Sequence, residues 1–274
     1  MKNYFRKISG LQIHYRQAGS GKFVFLLHAS PRSSKMMEPL MTLLSQQCTL
    51  VAPDIPGYGY SDPLKDRPSS VYDYVSNLHE LITQFTHLPI ILYGTATGAQ
   101  IAIAYSLTYP EKIKSLFLDN SAHFSDKECS VIMENYFPDF TPQLDGSHLQ
   151  KIWQHVCDSC IYFPWYDKTD ESRIAATLPS VEVIQQIFQD YLIAGANYAD
   201  AYKVAFKHER AEKVQQLKVN TIIFKWKGSP ILKYVNLLLA FDLPKNIKVI
   251  ETDVQIIKRY EQMKEAIEKA VIEN

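Results

Sequence analysis

The chain has 274 residues, 46% of them hydrophobic, and its 29 lysines and arginines balance 29 aspartates and glutamates. That length can bury a large core, as one domain with an insertion or as two domains. Balanced charge without a basic stripe argues against a nucleic-acid partner. No run approaches the roughly 20 apolar residues of a membrane helix, and no apolar segment follows the charged start Met1–Lys7, so neither a membrane span nor a signal peptide is expected, and a cytoplasmic location is.

In chain order, Tyr4 to Gln17 reads as a hairpin broken at Ser9-Gly10, and Phe23 to His28 as the continuous apolar run of a central parallel strand. A helix is expected from Ser34 to Gln47, with Met36, Met37, Leu40, Leu43 and Leu44 at helical spacing, followed by a strand from Thr49 to Asp54. A second helix covers Val71 to His87, a strand Leu88 to Tyr93, a helix Ala99 to Tyr109 closed by Pro110, and a strand Ile113 to Asn120. This alternation predicts a parallel sheet covered by helices on both sides.

The rhythm breaks at residue 121. From Ser121 to about Gln216 the segment is helical and rich in aromatics, and alternation resumes with a strand at Asn220–Lys225, a helix at Ile231–Leu239, a strand at Ile247–Glu251 and a terminal helix from Gln255 to Glu273. One core, residues 1–120 and 217–274, with a helical insertion over 121–216, fits this order better than two independent domains. The pair Cys157 and Cys160 falls on one helical face. A zinc site would need two more ligands from a second paired motif, which is absent, so semi-buried thiols are expected, with no metal and no cofactor.

The stretch from Gly94 to Gly98, Gly-Thr-Ala-Thr-Gly, lies between an apolar strand and an Ala-rich helix. It is the frame of a nucleophile elbow, in which glycines two before and two after the central residue let strand and helix pack around a strained turn. The central residue is Ala96, so attack by an elbow serine, cysteine or aspartate is excluded.

With this elbow, two further motifs carry a resemblance to a known family. They are His28-Ala29-Ser30-Pro31 after the third strand and Asp54-Ile55-Pro56-Gly57-Tyr58-Gly59-Tyr60-Ser61-Asp62 after the fourth. The chain resembles the α/β-hydrolase superfamily over nearly its whole length, specifically the capped branch of epoxide hydrolases, haloalkane dehalogenases and related esterases and lyases. The resemblance implies a mostly parallel eight-stranded sheet flanked by helices, with a helical cap inserted after the sixth strand. It also implies a triad of nucleophile, histidine and carboxylate. The nucleophile position is Ala96. The acid position after the seventh strand reads Trp226-Lys227-Gly228-Ser229-Pro230, with Ser229 where aspartate is expected, and no histidine occurs after His208.

Three vacancies point to a natural departure from hydrolysis and not to one laboratory substitution. Loss of such a triad costs about six orders of magnitude in turnover. What the resemblance leaves is an oxyanion hole of backbone N–H groups from Thr97 and from Ala29 or Ser30, with His28 at the pocket mouth or bracing its turn. Weak candidates for relocated chemistry are Asp119, at the end of the sixth strand, and His123 just beyond it. His148 and His155 share a face of the insertion, and Asp54 is expected to hold its glycine-rich loop. The aromatics Trp153, Trp165 and Tyr166 are expected to cover the elbow, either as packing or as walls of an apolar cleft. The expected function is binding of a small, largely apolar molecule bearing a carbonyl or carboxylate. Non-standard chemistry in the same pocket (lyase, isomerase, cyclase or displaced hydrolase) and a surface that only binds partners are the alternatives. Oligomeric state is left open.

Overall fold

The computed structural model describes residues 1–273. Eight strands form one sheet: β1 (Lys2–Ile8), β2 (Leu11–Ala18), β3 (Phe23–Leu27), β4 (Thr49–Pro53), β5 (Ile90–Thr95), β6 (Ile113–Asp119), β7 (Thr221–Trp226) and β8 (Ile247–Thr252). Their order is β1-β2-β4-β3-β5-β6-β7-β8, antiparallel at β1-β2 and β2-β4 and parallel from β4 to β8. The central strands β3, β4 and β5 are buried almost throughout and mostly apolar, because both their faces are covered.

One face carries α2 (Val75–Thr83) and α3 (Thr97–Thr108), while α1 (Glu38–Leu44) and α10 (Ile256–Ile272) cover the other. The helix α3 is buried from Thr97 to Ser106. That explains its lack of a polar stripe, since a helix apolar all round belongs inside. The stretch expected as a helix from Ser34 opens as a 3-10 turn, Ser34–Met37, before α1, and the next likewise opens at Val71–Tyr74 before α2.

Between β6 and β7 run five helices: α4 (Asp126–Asn135), α5 (Ser147–Ile161), α6 (Val181–Ala194), α7 (Asp200–His208) and α8 (Ala211–Gln215). α9 (Leu232–Leu239) follows β7. An aromatic cluster holds this segment to α9, with Phe124 4.2 Å from Tyr234 and 5.3 Å from Phe206 between ring centroids. Such rings supply large apolar area and preferred edge-on contacts. No described helix is long and apolar enough to cross a membrane.

Candidate functional site

The turn from β5 into α3 is built around Ala96, whose backbone lies at φ 48°, ψ −114°. An L-residue pays about 1–3 kcal/mol for such a conformation. The surroundings hold it there: the Ala96 N–H donates to the Asp119 carbonyl at 3.0 Å, and the Ala96 carbonyl accepts from Ala99 and Gln100. The flanking glycines are required by contact. A Cβ at Gly94 would lie 2.3 Å from the Gly98 oxygen, and one at Gly98 would lie 2.4 Å from the Leu27 oxygen. The sharp strand–turn–helix is therefore steric in origin and independent of which side chain stands at its tip.

Ala96 and Thr97 share a cavity of about 300 Å³ with Ala29, Ser30 and Pro31 from the turn after β3. Among the described residues, the backbone N–H groups of Ala29, Ser30 and Thr97 have no backbone acceptor. Thr97 is the first residue of α3 and Ala29 and Ser30 lie outside any strand, so their donors are orphans by position. The structure thus brings Ala29, Ser30, Ala96 and Thr97 together at one wall. The opposite wall is drawn from the helices between β6 and β7, chiefly Tyr136, Val156, Tyr191, Tyr202 and Phe206.

Asp119 does not face this cavity. It is 2% exposed, accepts from the Tyr93 hydroxyl at 2.8 Å and forms an ion pair with the Arg259 guanidinium. Arg259 comes from the first turn of α10 and lies over the Trp226 ring, 4.5 Å from its centroid. Both contacts fall on Oδ2, which a permanent cation occupies, while Oδ1 has no partner among the described residues. After β7, the Ser229 hydroxyl donates to the Asn120 side-chain oxygen at 2.6 Å.

His123 stands apart from the cavity lining. Its Nδ1 accepts from the Ala211 N–H at 3.0 Å and its ring packs on Phe241, outside the cavity lining. His28 is a bracing group. Its Nε2 accepts from the Ile55 N–H at 2.9 Å and its Nδ1 donates to the Ala29 carbonyl at 2.9 Å, and burial lowers its pKa, which keeps the ring neutral. Asp54 ties the glycine-rich loop: its carboxylate meets His14 at 2.7 Å and accepts from Ser34 and Tyr60 N–H groups. Burial alone would raise its pKa, but His14 and these donors outweigh it and hold the carboxyl low.

The named aromatics stand elsewhere. Trp153 packs edge-on against Phe188, the Trp165 indole donates to the Tyr136 carbonyl at 2.9 Å, and Tyr166 lines an outer groove beside Pro230 and Tyr234. None of the three lines the elbow cavity. Helical periodicity places aromatics on an inward face without saying which ring reaches the sheet ends, and here Phe124, Tyr136, Phe163 and Phe206 do. His155 is buried, with Nε2 2.8 Å from the Tyr191 hydroxyl, and its pKa is lowered to about 4 by burial. His148 accepts from the Gln143 N–H near the surface, so the two do not act together.

One group that the sequence did not single out lines the cavity: Glu209, just past the end of α7. Burial pushes its carboxyl up to about 8. Its only sequence signal is a charged triplet, His208-Glu209-Arg210, ending an apolar helix, which resembles any solvated helix end. Among the described residues, no three His, Cys, Asp or Glu side chains gather as a metal site requires.

A model of the alpha/beta hydrolase fold matches residues 22–159. The chain belongs to that family. It is 30% identical over 130 residues to a 2-(acetamidomethylene)succinate hydrolase of Mesorhizobium japonicum, covering 46% of this chain and 45% of the relative. It is also 28% identical over 131 residues to a cis-3-alkyl-4-alkyloxetan-2-one decarboxylase of Shewanella oneidensis, covering 45% and 40%. The chain thus spans less than half the length of these curated relatives in the matched region. Solved structures share the fold over nearly the full chain. An epoxide hydrolase from Vigna radiata has a TM-score of 0.68 at 18% identity, covering 98% of this chain and 96% of that one. A malate-bound esterase from Thermogutta terrifontis has 0.70 at 15%, covering 98% and 97%.

Proposed function

We propose that this chain binds a small, largely apolar molecule carrying a carbonyl or carboxylate oxygen, in the cavity between the sheet ends and the helices of residues 121–216, which act as a cap. Hydrolysis through the elbow is not its activity. The observation behind this reading is the strained elbow retained around a methyl group, with unaccepted N–H donors from Thr97 and from Ala29 or Ser30 on the same wall. Preorganised amides at a helix N-terminus suit a partly negative oxygen, and a mostly apolar cavity of about 300 Å³ is within the range of small-molecule sites.

Relatives with hydrolase and decarboxylase names show that this scaffold serves more than one chemistry. Catalysis without an elbow nucleophile is therefore the second reading. The specific observation in its favour is Glu209, a titratable group in the cavity wall.

Trp226 lines the cavity, so its fluorescence reports occupancy. Titration with short-chain ketones, esters and carboxylates is expected to give saturable quenching. Ala205→Trp, which fills the cavity from α7, is expected to abolish binding of the same ligands in calorimetry. Binding unaffected by that substitution would contradict the reading.

A further inference from the structure

Glu209 is a buried acid with an unfinished hydrogen-bond set. It is 6% exposed, and its Oε1 has no partner among the described residues. Leaving a buried polar atom unpaired is costly, so such an atom in a residue of a cavity wall calls for an explanation.

The groups around it do not supply one. From α3, the Gln100 side-chain oxygen faces His208 Nδ1 at 2.9 Å, and its Nε2 is itself without a partner among the described residues. Burial raises the pKa of Glu209 by more than the Ala122 N–H and Gln100 lower it. The nearest cation, Arg210, directs its guanidinium to the Phe206 and Glu209 carbonyls and to Asp126. From α7, His208 has its pKa lowered to about 4, by burial first and then by Lys213 and Arg210, so it is neutral. Tyr202 has its phenol raised to about 12 by burial and is engaged with Tyr136 at 3.1 Å. No cation is left to pair an ionised Glu209, and a buried unpaired charge neutralises itself by holding its proton. A neutral carboxyl then has an O–H to donate, and Glu209 stands in the cavity wall.

The other charge at the cavity is already balanced. Arg32 lines it, but its Nε is bound to Asp190 at 2.7 Å, and Ser33 donates to the same carboxylate. A ligand carboxylate would therefore enter as an uncompensated buried charge, whereas an uncharged carbonyl oxygen needs only donors. The cavity offers donors from the two turns and from the acid.

We propose that Glu209 is a ligand-binding residue whose neutral carboxyl donates to an uncharged carbonyl oxygen, so that the cavity takes ketones, esters or lactones and discriminates against carboxylates of equal size. This rests on the reading of the cavity as a ligand site and narrows its ligand class.

The test is calorimetric titration of the full chain with methyl butyl ketone and with hexanoate, which match in carbon number. Ketone binding is expected to be constant below about pH 8, where the carboxyl is protonated, and to fall about tenfold per pH unit above it. Hexanoate should bind at least about tenfold more weakly at neutral pH. Glu209→Gln keeps a donor and should hold ketone affinity within about threefold while removing the pH dependence. Glu209→Met removes the donor and should weaken ketone binding about tenfold at every pH below 8. Ketone affinity that stays flat well above pH 8 in the unvaried chain, or the same in Glu209→Met, would overturn the assignment of Glu209 while leaving the cavity a ligand site. Tighter binding of hexanoate than of the ketone would overturn the ligand class. Absence of saturable binding by either probe, in the unvaried chain and in Glu209→Gln alike, would remove the cavity reading and this inference with it.

Discussion

Around the ends of β3 and β5 the cavity floor is set by backbone, and around β6 to β8 it is set by side chains. On the first side, Gly94 and Gly98 allow contacts that no Cβ would survive, and the N–H groups of two turns stand free. On the second, Asp119 is spent on Arg259 and Tyr93, and Ser229 on Asn120. The two sides bear a change of side chain differently. A backbone turn held by close packing persists whichever side chain stands at its tip, because its geometry is paid for by the core. A side-chain relay has no such support, and each member is free to take a new partner.

The comparison is broken on the backbone side by adding one carbon. Gly98→Ala would place a Cβ 2.4 Å from the Leu27 oxygen and 2.7 Å from the His28 oxygen, both backbone atoms. Overpacking of this kind typically costs about 1–3 kcal/mol, and a clash with fixed backbone lies at or above the top of that range. Denaturant unfolding should show it, and a loss below about 0.5 kcal/mol would mean that the turn is pliable.

Asp119→Ala tests the other side. It leaves the Arg259 guanidinium, itself buried, without its carboxylate, at a cost of about 3–5 kcal/mol. Asp119→Ala combined with Arg259→Met should recover much of that loss, because a well-packed apolar replacement of a buried pair is often neutral. Failure of the double variant to recover would show Asp119 serving something other than the pair.

A pH-dependent effect belongs to the cavity wall between the two sides. The folded-state pKa of Glu209, about 8, lies above the unfolded value of about 4.3. As pH rises between these values the unfolded chain releases the proton first, so the carboxyl progressively costs stability, by at most about 1.4 kcal/mol per pH unit. Above about 8 both states are ionised and the cost stops growing. Glu209→Gln should therefore gain stability relative to the unvaried chain as pH rises through that window, in parallel chemical denaturations. A constant difference would mean that the carboxyl is ionised in the folded state.

The same division decides what could be read from the sequence. The sheet, its helices and the elbow were legible because periodicity and glycine spacing report backbone requirements. The placements of Asp119, His123, Trp153, Trp165 and Tyr166 were not legible, because each depends on a partner distant in the chain. Arg259 lies 140 positions from Asp119, and the Ala211 N–H that His123 accepts lies 88 positions away. Glu209 was missed for a related reason: a charged triplet at a helix end looks solvated until the cavity around it is seen.

The most direct measurement mixes Ala96→Ser with a nitrophenyl ester and follows nitrophenol release from the first moments. A serine in the elbow without a base beside it keeps its proton and stays a poor nucleophile, and the cavity lining here includes Glu209 but no histidine to serve it. The account predicts no burst and no turnover above that of the unvaried chain. A burst stoichiometric with the protein would contradict it, because a working base would then stand within reach of residue 96.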